Sequence, residues 1–241
     1  MTAHNKTDGL CLFALYPETR VSGATIWADR VGRARTAGFP AVTRMAAGFV
    51  LVGGRSSRMG RDKALLPGRS RSMVEELAAR VKKAAGSVAL VGEPQRYSGL
   101  PIECIADLRP GLGPLGGIEA ALASARAELN LVVACDMPDV ESSWLVRLLE
   151  EAESSGTLCV ASRDAGGALH PLCAVYHRDS LAKIQSALDA GRLRTQEVLW
   201  ELEPVVLESD RTFWNVNTPE EWEAWQAREH ANAGNQLKHA R

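Results

Sequence analysis

The sequence predicts an α/β fold, a mostly parallel sheet with helices on both faces, and two observations carry that expectation. From Met45 onward, short apolar runs alternate with segments of helical period, the mark of successive βα units. One run, LVVAC (131–135), is continuously apolar where a half-buried strand would alternate, as a central strand covered on both sides requires.

Taken in order, AGFVLV (47–52) is the first strand, and it delivers the chain into a loop with Gly53, Gly54 and Gly60 and the cations Arg55, Arg58, Arg61 and Lys63. The period then turns helical in SMVEELAARVKKAA (72–85), and SVALVG (87–92) is the next strand. A short strand ends at Ile105-Ala106, and a glycine-rich turn opens the helix GPLGGIEAALASARAE (113–128). LNLVVACD (129–136) is the central strand, followed by the helix SSWLVRLLEEAE (142–153) and the strand TLCVAS (157–162). The remainder is less regular. ALHPLCAVYH (168–177) alternates in part, SLAKIQSALDAG is a helix closed by Gly191, and PVVLES (204–209) is a strand. TPEEWEAWQA (218–227) is a helix capped by Thr218, with Pro219 at its first position and acidic residues in its first turn. Residues 1–45 show no sustained period and are expected to be a poorly ordered N-terminal extension; residues 46–227 form the domain, and 228–241 a polar tail.

Composition narrows the function. Of 241 residues, 46% are apolar and 24% charged, with a net charge of -1, so nothing draws the chain as a whole to nucleic acid or an anionic membrane. Phosphate affinity must come from local clustering, which favours a small phosphorylated ligand. The Arg30–Arg35 stretch is short and lacks interleaved aromatics, unlike a nucleic-acid surface. Five cysteines without a C-x-x-C pair read as reduced core residues, and no apolar segment approaches the ~18 residues of a membrane span. The expected location is the cytoplasm.

Ligands of parallel α/β sheets lie beyond the carboxyl ends of the strands, so those positions hold the candidate residues. Gly53 and Gly54 form either a backbone cradle for an anion or a solvated turn; the Walker A and dinucleotide spacings are both absent. Arg58 and Lys63 would neutralise a triphosphate, Arg58 as a fork and Lys63 as a mobile point charge. Asp136, where LVVAC stops, is either a hard oxygen ligand for Mg²⁺ or the cap of the next helix. Asp107 is either an acceptor for ribose or base N–H groups or a turn-forming residue beside Pro and Gly. In NVNTPEEW, Asn215 and Asn217 flank Val216 and share a face, so both could complete a metal or ligand shell.

LVGGRSSRMGRDKALL, RPGLGPLGGI, CDMP and NVNTPEEW together resemble the molybdenum cofactor guanylyltransferases, over about Ala47 to Trp225. The resemblance implies a three-layer Rossmann-like nucleotidyltransferase fold and transfer of GMP from GTP to molybdenum-bound molybdopterin, with Mg²⁺ as cofactor and pyrophosphate as the second product. It implies backbone contacts to the nucleotide from Leu51, Val52 and Gly53, phosphate contacts from Lys63, nucleoside contacts from Asp107, and Asp136 on both GTP and Mg²⁺. Asn217 would be a second metal neighbour, and His170, with Asn215, a contact of the second substrate. Cofactor-synthesis proteins and recipient molybdoenzymes would be transient partners. The chain departs from the family at Gly92-Glu93, where Asn is common, and in the helix opening PGRSRSMVEEL. The rival readings are a molybdopterin cytidylyltransferase, a sugar-phosphate nucleotidyltransferase, and a non-catalytic module that delivers cofactor; Gly53-Gly54 argues against the cytidylyl branch, and Asp136 with Lys63 against the module.

Overall fold

The computed structural model describes residues 20–21, 24–28, 34–37, 46–53, 62–68 and 71–228. The chain divides into two units, Met1–Arg44 and Met45–Arg241. In the first, β1 (Arg20–Val21), β2 (Ala24–Ala28) and β3 (Ala34–Ala37) pair antiparallel in the order β1-β2-β3. The rest of the expectation for residues 1–45 lies outside the described residues, as does the polar tail beyond 228.

In the second unit, β4 (Ala46–Leu51) leads to α1 (Met73–Ala85), β5 (Val88–Val91) and the two-residue β6 (Cys104–Ile105). Then come α2 (Gly113–Ala123), β7 (Leu129–Ala134), α3 (Ser142–Ser155), β8 (Cys159–Arg163) and β9 (Leu169–His177). α4 (Leu181–Asp189), α5 (Thr195–Glu201) and β10 (Val205–Glu208) follow, and residues 219–228 are helical. Local chemistry sets the boundaries. Glu75 accepts from the N–H and hydroxyl of Ser72 (3.0 and 2.6 Å) to start α1, and Gly86, at φ +83°, ends it.

The strands form one sheet in the order β10-β8-β9-β7-β4-β5-β6, parallel throughout except that β9 runs antiparallel to both its neighbours. Leaving β4, the chain builds β5 and β6 on one side, then crosses back to place β7 on the other. The order reverses between β4 and β7, and a crevice opens there at their carboxyl ends.

Alternate side chains of β4 feed two cores. Val50 joins Leu77, Val81, Trp144, Leu145 and Leu148 under α1 and α3. Phe49 and Leu51 join Ile118, Leu122, Ile184, Leu188 and Leu199 under α2, α4 and α5. Leu131, Val132 and Val133 of β7 are fully buried and divide between the same two clusters, so the unbroken apolar run is a strand sandwiched between helical layers. This is the three-layer arrangement expected. α5 was not foreseen, being seven residues long and too short to display a helical period.

Candidate active site

A cleft of about 1450 Å³ opens at the switch point, lined by Leu51, Val52 and Gly53, by Asp62 and Lys63, by residues 91–96, by the Asp107–Pro114 turn and by Asp136. Each wall is held by the sheet. Val52 N–H donates to Val91 O (2.9 Å) and Cys135 N–H to Leu51 O (3.1 Å), so those two backbone groups serve the sheet. Gly53, exposed and at φ +114°, is the turn residue beyond it. Gly92 must lack a side chain, because a methyl there would run into the Val52 carbonyl. Gly54 and Arg58 lie outside the described residues.

Lys63 opens a 3₁₀ turn, Lys63–Leu65, rooted by the buried Ala64. Its Nζ lies 3.2 Å from Asp136 Oδ2 and 3.1 Å from Asn217 Oδ1. Lys63 and Asp136 keep 15% and 24% of their side-chain surface exposed, so the pair faces the cleft and is open to exchange with a ligand. Asp136 does not cap α3: that helix starts at Ser142, with Glu141 at the N-cap. Asn217 arrives from the far end of the domain because Val216 N–H donates to Asp136 O (2.8 Å) and the Val216 side chain packs with Leu66, Met73 and Trp225. Glu221 then accepts from the N–H groups of Asn217 and Thr218 (2.6 and 3.1 Å), starting the helix over 219–228. Asn215 is exposed beside this segment.

Asp107 lines the opposite part of the cleft, half-buried. Burial pushes its carboxyl above the usual carboxylate range, and the charge of Glu93 pushes it further. Arg109 secures the turn by bridging the buried Glu119 of α2 (3.0 Å) and Asp189 at the end of α4 (2.5 Å). One end of the cleft is therefore rich in acceptors and the other offers a cation beside oxygen ligands. Cys135 also lines it, but burial pushes its thiol up to about 12, which leaves it protonated and no nucleophile.

Residues 94–97 form a second 3₁₀ turn that sequence reasoning passed over. Tyr97 O–H donates to Asp62 Oδ2 (2.8 Å), the Arg96 guanidinium lies 3.2 Å from the same oxygen, and Asp62 Oδ1 accepts from Ala64 N–H (3.0 Å). A four-residue turn shows no period; the signal available was an Asp directly before Lys63, in a capping position.

For a metal, no cluster of three His, Cys, Asp or Glu exists among the described residues. The donor set that does exist, one carboxylate and one amide oxygen, suits Mg²⁺, which takes hard oxygens and fills its shell with water and phosphate. Asp136 and Asn217 already hold one cation, the Lys63 ammonium, between them.

A glycine turn after β4, a lysine against the acid at the end of β7, and the Asp107 turn thus line one cleft. The MobA-like NTP transferase domain family matches residues 48–205. The chain belongs to this family. The NTP transferase is 38% identical over 183 residues to the molybdenum cofactor guanylyltransferase of Xanthomonas euvesicatoria, covering 73% of this chain and 91% of that one. It is 31% identical over 191 residues to that of Desulfosudis oleivorans, covering 75% and 94%. Among solved structures, molybdopterin-guanine dinucleotide biosynthesis protein A from Archaeoglobus fulgidus shares the fold at a TM-score of 0.66 and 24% identity, over 78% of this chain and 99% of that one.

In this NTP transferase His170 stands apart from the residues lining the cleft. It is nearly buried on β9, 3.0 Å from Asp164 Oδ2, with Phe213 edge-on at 5.1 Å. Burial pushes the Asp164 carboxyl up, but His170 and the Ala168 N–H outweigh it and hold the carboxyl below its usual value. Leu172, two residues on, does line the cleft. No helix among the described residues is long and apolar enough to cross a membrane.

Proposed function

We propose that this NTP transferase moves GMP from GTP to molybdenum-bound molybdopterin, giving the guanine dinucleotide cofactor and pyrophosphate in the cytoplasm. The observation that carries the reading is the meeting of Lys63 and Asp136 in a cleft that the Asp107 turn also lines, with Asn217 accepting from the same ammonium. The names of its relatives, molybdenum cofactor guanylyltransferases, support guanylyl transfer in the making of that cofactor.

A phosphate oxygen of molybdopterin attacks the α-phosphorus of GTP; the new P–O bond forms as the bond to the β-phosphate oxygen breaks and pyrophosphate departs. Two anions must approach, so catalysis is positioning and neutralisation. Lys63 leaves its carboxylate for the β- and γ-phosphates and follows the charge onto the leaving group. The backbone at Gly53 admits the nucleotide, and Asp107 accepts from the donors of the nucleoside. Mg²⁺, held by Asp136 and Asn217, would supply neutralisation of the phosphate oxygens. Proteins that make molybdopterin and the recipient molybdoenzymes are the transient partners on either side of the reaction.

Purified protein with Mg²⁺, molybdenum-bound molybdopterin and each of the four NTPs in turn tests the reading, with pyrophosphate as readout. Release with GTP is expected; release with CTP alone would remove the guanine assignment.

A further inference from the structure

The Asp62 carboxylate is saturated in a way that a solvated surface acid is not. Both oxygens are engaged, by three partners from two segments: Ala64 N–H within the Lys63 turn, and Tyr97 O–H and the Arg96 guanidinium from the turn that follows β5. Tyr97 is 1% exposed, and a hydroxyl buried with such a ring needs a partner. Any backbone carbonyl would serve for stability alone. What it meets is the carboxylate that caps the turn bearing Lys63, one residue before that lysine. Burial and the neighbouring carboxylate both push the Tyr97 hydroxyl up, so it stays a donor.

Lysine is a flexible four-carbon stem ending in a point charge, and a misplacement of ~1 Å at a reacting centre lowers rate by about a hundredfold. The stem can be aimed only by fixing the backbone that bears it. On its C-terminal side Lys63 stands on Ala64 and Leu66, which are buried. Asp62, directly before it, supplies an anchor on the N-terminal side, tied through Tyr97 to the turn that follows β5 and to the core in which that ring is buried. We propose that Tyr97, acting through Asp62, is a positioning residue that aims Lys63 at the phosphates of the nucleotide, with Arg96 completing the shell of the carboxylate. The inference rests on the phosphate role of Lys63 given above.

A double-mutant cycle tests it, with affinity for inorganic triphosphate, which has no base, and for GTP measured by titration calorimetry. Tyr97→Phe keeps the ring and removes one hydroxyl; Asp62→Asn keeps an oxygen for Ala64 and changes the group facing Tyr97, and serves if the first variant folds poorly. In the Lys63 protein each is expected to weaken binding about tenfold, the scale of a hydrogen bond to a charged group. In a Lys63→Ala background neither should weaken it further, because the residue they aim is gone. A merely structural hydroxyl would give the same factor in both backgrounds, and that result, or no loss in either, overturns the proposal while leaving the guanylyltransferase reading intact. Wild-type protein that binds neither ligand overturns both.

Discussion

The Lys63 ammonium, 3.2 Å from one oxygen of Asp136 and 3.1 Å from that of Asn217, occupies the donors that Mg²⁺ would use. Two cations crowded onto them repel each other, and the sign of one substitution follows. In nucleotide-free protein, Lys63→Ala should bind Mn²⁺, a spectroscopic stand-in for Mg²⁺, more tightly than wild type, while its affinity for GTP falls. Electron paramagnetic resonance counts free Mn²⁺ directly, and looser Mn²⁺ binding by the variant would refute the shared site. Asp107 carries a second prediction. Its carboxyl is raised by burial and then by Glu93, whereas nucleoside donors favour the ionised form. GTP affinity should therefore drop as pH falls through a value above the usual carboxylate range, and rise to a plateau above it. Asp107→Asn should abolish that acid limb in a pH series of GTP titrations; an unchanged limb would exclude Asp107 as its source.

At the scale of elements, the segment 215–217 is held by Val216, by the Lys63–Asn217 contact and by the helix after it. Trp225 of that helix is 2% exposed and packs with Leu66, Met73 and Val216, so one small cluster joins the Lys63 turn, the start of α1 and the Asn217 segment. Trp225→Ala should lower stability by about 3 kcal/mol, the low end for emptying a buried tryptophan site. It should also weaken GTP binding, since Asn217 loses its support. Thermal melting and calorimetry check the two effects separately, and binding at wild-type strength would show that the cluster does not govern the site. Elements were legible where period or cap chemistry was strong. α1 begins at its serine–glutamate cap and stops at Gly86, both readable in sequence. The antiparallel course of β9 was not, because residue pattern carries no direction, and its residues 173–176 are buried whichever way it runs. The 3₁₀ turns at Lys63 and at 94–97 escaped for the reason α5 did, since they are shorter than the repeat that would announce them.

Across the whole molecule, the fold was legible because β7 had to be covered on both faces and each strand end had to deliver something. Leu51, Val52, Gly53, Lys63, Asp107 and Asp136 do line one cleft. Hydrogen bonding between remote segments was not legible: nothing in RDKALL points to Tyr97, and nothing in ALHPLC shows that His170 turns to Asp164. Such pairings depend on three-dimensional neighbours that local pattern does not encode. The bond from Val216 to the Asp136 carbonyl has a consequence for biosynthesis. Lys63 and Asn217 are separated by 154 positions, and every strand of the main sheet is translated before that asparagine. A released chain ending before it keeps every strand of that sheet while lacking one of the two oxygens on the lysine. With Asn217 in the proposed metal-holding role, such a truncated chain is expected to turn over more slowly than the full one, which pyrophosphate release would measure.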